Sequence, residues 1–129
     1  MSEISRERAE RVLTDLIAIP SVNPMGRPWT GTEPVEKGVA DYIENLLAPA
    51  GAQLVRTHVS DLHENLLVTL PGTTEGTATL FESHMDTVPA DDWLDRAFTP
   101  RVEGDTVYGR GANDDKGCLT AMLLAVLDL

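Results

Sequence analysis

The chain has 129 residues, 42% hydrophobic and 24% charged, and this length and composition predict one folded domain. Acidic residues outnumber basic ones by 21 to 10, and the net charge of −11 argues against nucleic acid or an anionic membrane as a partner. The single cysteine excludes a disulfide framework, while the charged start "MSEISRERAERV" and the lack of a long apolar run predict a cytoplasmic protein.

The first third of the chain carries two helical patterns with a loop between them. Residues 4–18 place apolar side chains among charges at helical spacing, and the pattern stops at Pro20. The next stretch, "PSVNPMGRPWTG", is rich in turn-forming residues and predicts a loop. Thr32 then has the character of a helix N-cap, and the helix that it predicts ends before Gly51.

The middle of the chain changes to patterns typical of strands. Three short segments rich in β-forming residues predict three strands: "AQLVRTHV", "ENLLVTL" and "TATLFESH". After a loop over residues 87–99, "RVEGDTVYGRG" predicts a hairpin, and "DDKGCLTAMLLAVLDL" predicts an apolar helix inside which Cys118 is expected to pack. Helices before and after the strands predict an α/β fold layered around one sheet. Because the last helix is apolar nearly all round, we expect the fold to be incomplete at its C-terminus.

Three polar side chains alternate at the end of the third predicted strand. Residues two apart point the same way along a strand, so Glu82, His84 and Asp86 would share one face. A histidine that binds a metal needs its second ring nitrogen held by an acceptor, and a carboxylate serves this purpose well. Taken alone, the pattern fits a solvated strand end better than half of a metal site.

A second polar stretch, "GRGANDDKG", precedes the last helix. Glycines on both sides of Arg110 allow backbone turns that side chains would block. Asp114 and Asp115 stand just before the helix, where its dipole favours negative charge, so that taken alone they fit simple helix caps. The stretch lacks the GxxxxGK[ST] pattern of a phosphate-binding loop.

Taken together, these stretches resemble one family of enzymes. "SHMDTVP", a following tryptophan, "FTP" and "VYGRGANDDKG" stand in the order typical of the zinc-dependent amidohydrolases and exopeptidases, which include acetylornithine deacetylase, succinyl-diaminopimelate desuccinylase, aminoacylase and bacterial glutamate carboxypeptidase. "IPSVNP" and "ENLLVTLPG" are similar to that family too, so the resemblance runs from about Leu16 to the last residue. It implies a three-layer α/β/α zinc-exopeptidase-like catalytic domain. Residues 1–129 would be its N-terminal portion, with the rest of that domain and the dimerisation domain absent.

The resemblance also implies roles for particular residues. His84 would be a terminal ligand of one zinc ion, Asp86 the catalytic-site carboxylate that orients His84, and Asp114 the carboxylate that bridges two zinc ions. The peptide bond between Asp114 and Asp115 would be cis. The catalytic glutamate and the remaining ligands of the family lie further along the chain than the last helix, so we expect this segment alone to bind zinc weakly and to hydrolyse nothing.

The activity that the resemblance implies is hydrolysis of an amide bond by a water molecule that two zinc ions activate, with cobalt as an alternative metal. The expected substrate is a small N-acyl amino acid or a peptide. The resemblance allows a homodimer of the full-length protein, although the sequence does not fix the oligomeric state. Two alternatives stay open. One is a dipeptidase or carboxypeptidase of the same family in place of a deacylase, and the other is a truncated remnant without catalytic activity.

Overall fold

The structure, a computed structural model, describes residues 4–129, so residues 1–3 of the predicted domain lie outside the described part. In chain order the elements are α1 (Arg6–Ala18), α2 (Lys37–Leu47), β1 (Gln53–His58), β2 (Glu64–Thr69), α3 (Leu94–Ala97), β3 (Arg101–Glu103), β4 (Thr106–Tyr108) and α4 (Lys116–Leu127). A short 3-10 turn at Ala48–Ala50 extends α2. Within the described range, no helix is long and apolar enough to cross a membrane.

Local sequence sets both ends of α1. Ser5 is the N-cap, and its side-chain oxygen accepts a hydrogen bond at 3.1 Å from a backbone N–H in the first turn. Ile19 is extended, as the crowding of the residue before a proline requires, and the helix ends there, ahead of Pro20. The helix predicted over residues 4–18 is therefore confirmed with a slightly later start.

Helix α2 begins later than the sequence predicts. The prediction of Thr32 as its N-cap is wrong, because Glu36 occupies that position. The Glu36 carboxylate does not cap the helix; it lies 2.6 Å from Nδ1 of His63 and accepts a hydrogen bond from the backbone N–H of Glu64 at 3.2 Å. These long-range contacts attach the start of α2 to the first hairpin, and no local pattern reveals them. The other end agrees with the prediction, with Gly51 left-handed at φ 71°.

Two of the three predicted strands in the middle of the chain form, and the third does not. Strands β1 and β2 pair as an antiparallel hairpin, and β3 and β4 form the predicted second hairpin as a separate sheet. Residues 77–84 have a composition typical of a strand. However, no strand within residues 4–129 pairs with them, and Leu80 is 80% exposed. Because a strand requires a hydrogen-bonding partner, the expectation of three strands in one sheet is wrong for the described residues. They form a mixed helix-and-strand structure, which does not establish the expected three layers.

The hydrophobic core lies between α1, α2 and α4. Its buried side chains are Val12, Leu16, Val39, Ile43, Leu47, Leu119, Leu123 and Leu124. Leu66 and Val68 of β2 pack against this cluster from the first hairpin. Each large aliphatic side chain that leaves water contributes roughly 1.5–3 kcal/mol. The packing therefore holds the C-terminal end of α1 beside the start of α4, which carries the second polar stretch.

Arg56 of β1 joins the first hairpin to α2. Its guanidinium donates two hydrogen bonds to Glu44, both at 2.8 Å, one to Asp41 at 2.6 Å and one to Glu64 at 2.9 Å. The pKa of Arg56 rises well above its ordinary value, mainly because of the hydrogen bonds to Glu44. The ion pairs therefore connect both strands of the first hairpin to α2.

Candidate metal centre

His84 and Asp114 lie side by side although they are 30 residues apart in sequence. Nε2 of His84 is 2.9 Å from Oδ1 of Asp114, and the two side chains are 50% and 82% exposed. On the other side of the ring, Nδ1 is 2.9 Å from the backbone carbonyl oxygen of Asp86 and 3.1 Å from its Oδ1. The three predicted site residues therefore form one row, with the imidazole in the middle.

The surroundings of the imidazole determine its charge and the direction of its lone pair. Burial lowers the pKa of His84, but the hydrogen bonds with Asp114 and with the Asp86 carbonyl outweigh burial, so that the pKa lies above its usual value. Acceptors on both ring nitrogens suit the protonated ring. In the neutral ring, the two acceptors of Asp86 favour the proton on Nδ1, and the lone pair of Nε2 then faces Asp114. That orientation is the one a metal ligand needs.

Asp115 stands at the N-cap position of α4, but its carboxylate points elsewhere. Its Oδ2 accepts a hydrogen bond from the Ser83 hydroxyl at 2.6 Å, and it makes no side-chain bond to the helix backbone. The hydrogen bond from Ser83 is the main cause that lowers the pKa of Asp115. The alternative in which the two acids are simple helix caps is therefore wrong, because their carboxylates face Ser83 and His84. The Asp114–Asp115 peptide bond is cis, as the resemblance predicts.

Cys118 does not pack inside the last helix. It is exposed, and its thiol lies near the Asp115 carboxylate, whose hydrogen bond and charge raise the pKa of the thiol. The prediction of Cys118 as a small buried residue is wrong, because the first turn of α4 presents this position to the row of polar residues and not to the core.

Residues 21–23 support the histidine segment from its side. The backbone N–H of Thr87 donates to the carbonyl of Ser21 at 2.8 Å, and the carbonyl of Thr87 accepts from the backbone N–H of Asn23 at 2.8 Å. The Ser21 hydroxyl donates to the backbone of the same segment, at Met85, with a distance of 2.7 Å. A stretch that the sequence predicts as a plain loop is thus attached to the site by three hydrogen bonds.

Asn23 is the site residue that the sequence does not identify. Its Nδ2 donates to Oδ2 of Asp86 at 2.9 Å, on the side of the carboxylate away from His84. The similarity of "IPSVNP" to the family is the one feature of the sequence that draws attention to this position. The contact joins positions 63 residues apart, which no local pattern predicts.

Lys116 fixes the start of α4 against the end of α1. The residue is 1% exposed, and Nζ donates to the carbonyl oxygens of Leu16 and Ile19, both at 2.7 Å. These carbonyls stand at the C-terminal end of α1, where the helix dipole favours a cation. Burial lowers the pKa of Lys116 to about 8. Asp114 therefore precedes a helix whose first residue is anchored in the core.

A cleft with a volume of about 770 Å³ reaches the row from the histidine side. Its lining includes Ser83, His84 and Asp86 together with apolar side chains such as Leu66 and Leu123. Its volume lies in the range of small-molecule sites. The cleft gives a small molecule access to the imidazole.

The donors can hold a metal ion as a pair. Zinc binds histidine nitrogen and carboxylate oxygen at about 2.0–2.2 Å, so two ligands of one tetrahedral ion lie about 3.4 Å apart. The 2.9 Å between Nε2 of His84 and Oδ1 of Asp114 is a hydrogen-bond distance, and the two atoms would have to separate by only about 0.5 Å to share an ion. Residues 4–129 bring together no group of three or more histidine, cysteine, aspartate or glutamate side chains that could hold a metal ion. The pair fits zinc, while a catalytic zinc usually has three protein ligands.

Residues 80–129, which contain the whole row, match the family described as Peptidase family M20/M25/M40. This part of the chain, which carries the row, is similar to that family. Among its relatives, the succinyl-diaminopimelate desuccinylase of Afipia carboxidovorans is 34% identical, over 94% of this chain and 30% of the relative. The enzymes of the same name from Sphingopyxis alaskensis and Shewanella pealeana are 36% and 31% identical, over 85% and 97% of this chain and 28% and 30% of the relatives.

The chain spans about 30% of the length of the curated relatives that it matches. The resemblance to the M20/M25/M40 family is thereby confirmed for the N-terminal part of the family. The family match begins at residue 80, whereas the similarity to the desuccinylases extends over most of the chain and so includes α1, α2 and the first hairpin.

Proposed function

We propose that residues 1–129 form the N-terminal portion of the catalytic domain of a two-zinc amidohydrolase that removes the acyl group from a small N-acyl amino acid. The observation that carries the proposal is the convergence of His84 Nε2 and Asp114 Oδ1 at 2.9 Å, with Asp86 behind the ring. The relatives are named desuccinylases, and this favours an acyl amino acid over a dipeptide. A dipeptidase or carboxypeptidase of the same family is the second candidate.

Each residue of the row has a separate task in this proposal. His84 offers the Nε2 lone pair as a terminal ligand, and Asp114 offers a carboxylate that is exposed enough to bridge two ions. Asp86 keeps the proton of the neutral ring on Nδ1 and stabilises positive charge on the imidazole. A bound zinc or cobalt ion supplies Lewis acidity to the substrate carbonyl and makes water more acidic.

The remaining ligands and the general base belong to a longer polypeptide in this proposal. We call it the complete protein, meaning this chain together with the downstream residues that its relatives have. Its catalytic domain would have three α/β/α layers, with residues 77–84 as an inner strand of the sheet. The unpaired backbone of these residues and the 80% exposure of Leu80 support this arrangement. The complete protein would be cytoplasmic and could dimerise through its smaller domain.

The test is an amide-hydrolysis assay on the complete protein, first stripped by a chelator and then reloaded with zinc or cobalt. We expect no hydrolysis after stripping and recovery on reloading. N-succinyl-diaminopimelate and N-acetyl amino acids should be cleaved faster than dipeptides. Faster cleavage of dipeptides would favour the peptidase alternative. No hydrolysis of any of these substrates by the fully loaded protein would contradict the proposed function and favour a non-catalytic remnant.

A zinc titration of the 129-residue chain tests the proposed division of the ligands. Because the chain supplies one histidine and one carboxylate, we expect weak binding that depends on both His84 and Asp114. Tight binding of two zinc ions by the monomeric chain would contradict the claim that further ligands lie downstream.

A further inference from the structure

We propose that Asn23 is a positioning residue for the metal centre, because it holds Asp86 with one carboxylate oxygen aimed at Nδ1 of His84. This inference rests on the proposed function, since the metal centre is defined there. It adds a residue from a segment more than sixty positions away, near the start of the loop that follows α1, to the row of His84, Asp86 and Asp114.

Asp86 is held at both of its carboxylate oxygens. Oδ2 accepts a hydrogen bond from Nδ2 of Asn23 at 2.9 Å, and Oδ1 is 3.1 Å from Nδ1 of His84. A carboxylate held at one oxygen can rotate about its last torsion, because that torsion has broad minima. A second bond on the far oxygen fixes the plane of the group. Asn23 therefore determines where the oxygen that faces the imidazole lies.

The amide group of Asn23 is itself oriented. Its Oδ1 accepts a hydrogen bond from the backbone N–H of Met25 at 2.9 Å, in a turn where Met25 has a φ of 53°. An amide carries its oxygen and its NH₂ group on opposite sides, so this bond leaves Nδ2 facing Asp86. An aspartate at position 23 would keep the acceptor for Met25 and lose the donor for Asp86.

The backbone under Asn23 belongs to a buried part of the structure. Ser21 and Thr87, which exchange the adjacent backbone hydrogen bond at 2.8 Å, are 1% and 3% exposed. The amide thus projects from a segment that is already attached to the histidine segment. A side chain on such a base can hold its partner within the narrow limits that a metal ligand requires.

The first test measures zinc affinity and steady-state kinetics of the complete protein with the variant Asn23→Asp. The new carboxylate faces that of Asp86 without a donor between them, so we expect zinc affinity or kcat to fall about 10- to 100-fold with little change in KM. The double variant Asn23→Asp with Asp86→Asn reverses donor and acceptor and should recover part of the lost zinc affinity, while kcat stays low because position 86 no longer carries a negative charge. Asn45→Asp, the same substitution at an exposed position of α2, should leave zinc affinity near that of the parent.

The outcomes separate this inference from the proposed function. If zinc binds through His84 but Asn23→Asp matches the parent in both zinc affinity and kcat, the inference is overturned and the proposed function stands. The same holds if the zinc affinity lost in the double variant equals the sum of the losses in Asn23→Asp and Asp86→Asn alone. If no His84-dependent zinc binding exists, the proposed function fails. In that case, nitrogen NMR of the His84 imidazole in the metal-free chain, at a pH where the ring is neutral, tests whether Asn23 positions Asp86. A proton kept on Nδ1 in the parent and shared between both nitrogens in Asn23→Asp supports it, and identical spectra overturn it.

Discussion

Nζ of Lys116 lies 2.7 Å from the carbonyl oxygen of Leu16, although the two residues are 100 positions apart in the chain. The contact brings the first residue of α4 onto the last turn of α1. Because Asp114 precedes α4 by two residues, this contact also places the carboxylate of the second polar stretch near His84. The candidate site therefore depends on the packing of two helices that are distant in sequence.

Lys116→Met should reduce the free energy of unfolding by about 2–4 kcal/mol. The methionine keeps most of the buried volume but removes the ammonium donor from the carbonyl of Ile19 and from that of Leu16, which keeps only the backbone N–H of Ile19 at 3.2 Å. Each such loss costs roughly 1–3 kcal/mol. Denaturant unfolding measures the change. Lys37→Met is the matched control, because Lys37 makes a partly exposed ion pair with Asp41 and should change stability by less than about 1 kcal/mol. Equal losses of unfolding free energy in the two variants would show that the hydrogen bonds of Lys116 stabilise the fold no more than a surface ion pair does.

Gly111→Ala should destabilise the region around the site by about 1–3 kcal/mol. Gly111 has a φ of 82°, which costs a residue with a side chain roughly 1–2 kcal/mol. A Cβ atom there would also lie 2.8 Å from Cγ2 of Thr87, in the segment that follows Asp86. Gly76→Ala has no atom within 4 Å of the added Cβ and should be nearly neutral in the same unfolding measurement. A neutral Gly111→Ala variant would contradict the described backbone of the "GRGANDDKG" stretch.

Arg56→Ala should lower stability by about 1–3 kcal/mol, because it leaves three carboxylates close together without their cation. The comparison is Arg27→Ala, which removes a single pair with Asp91 whose side chains are 60% and 55% exposed. Such surface pairs contribute about 0–1 kcal/mol. If thermal unfolding shifts equally for both variants, Arg56 does not tie the first hairpin to α2.

Tyr42 should lose its proton at an unusually high pH. Burial, and next the negative charge of Asp15 at 3.1 Å from its hydroxyl, raise its pKa to about 12. The folded state then holds this proton in a range where the unfolded chain, with a tyrosine pKa of about 10, has lost it. The contribution to stability is therefore complete below pH of about 10 and is lost as the pH rises toward about 12.

Phenolate absorbance during an alkaline titration measures this pKa. The chain has two tyrosines, so each can be removed in turn. Tyr42→Phe should abolish the late transition, and Tyr108→Phe should leave it in place. A late transition that survives in Tyr42→Phe would contradict the buried setting of the phenol.

Local patterns predict most of the elements but few of the contacts that build the site. The caps and prolines around α1 and the apolar run of α4 depend on neighbouring residues, and these helices form where the sequence predicts them. The strand predicted over residues 77–84 fails because pairing depends on a partner strand and not on composition. The start of α2 is misplaced because the Glu36 carboxylate binds the first hairpin.

For the site, the alternation of His84 and Asp86 predicts that the two are neighbours, and the resemblance adds Asp114. The geometry brings these three together. The role of Asn23 could not be predicted in this way, because its hydrogen bond to Asp86 joins positions that are 63 residues apart. Long-range contacts of this sort have no periodicity that a sequence could display.

The variant Asp86→Ala should show whether Asp86 orients the ligand His84 or is itself a metal ligand. Because Asp86 contacts the ring and not the proposed ion, the complete protein should retain more zinc in this variant than without His84, while turnover falls about 10- to 100-fold. Elemental analysis after dialysis, together with the hydrolysis assay, measures both quantities. A loss of zinc as complete as in His84→Ala would make Asp86 a ligand.

Zinc content and amide hydrolysis, measured together in His84→Ala, test whether His84 and Asp114 are ligands of one metal centre. In the complete protein, we expect loss of bound zinc and of hydrolysis in this variant and in Asp114→Ala. Glu82→Gln, at an exposed neighbouring position, should keep both. Normal zinc content with substantial turnover in His84→Ala would contradict the account.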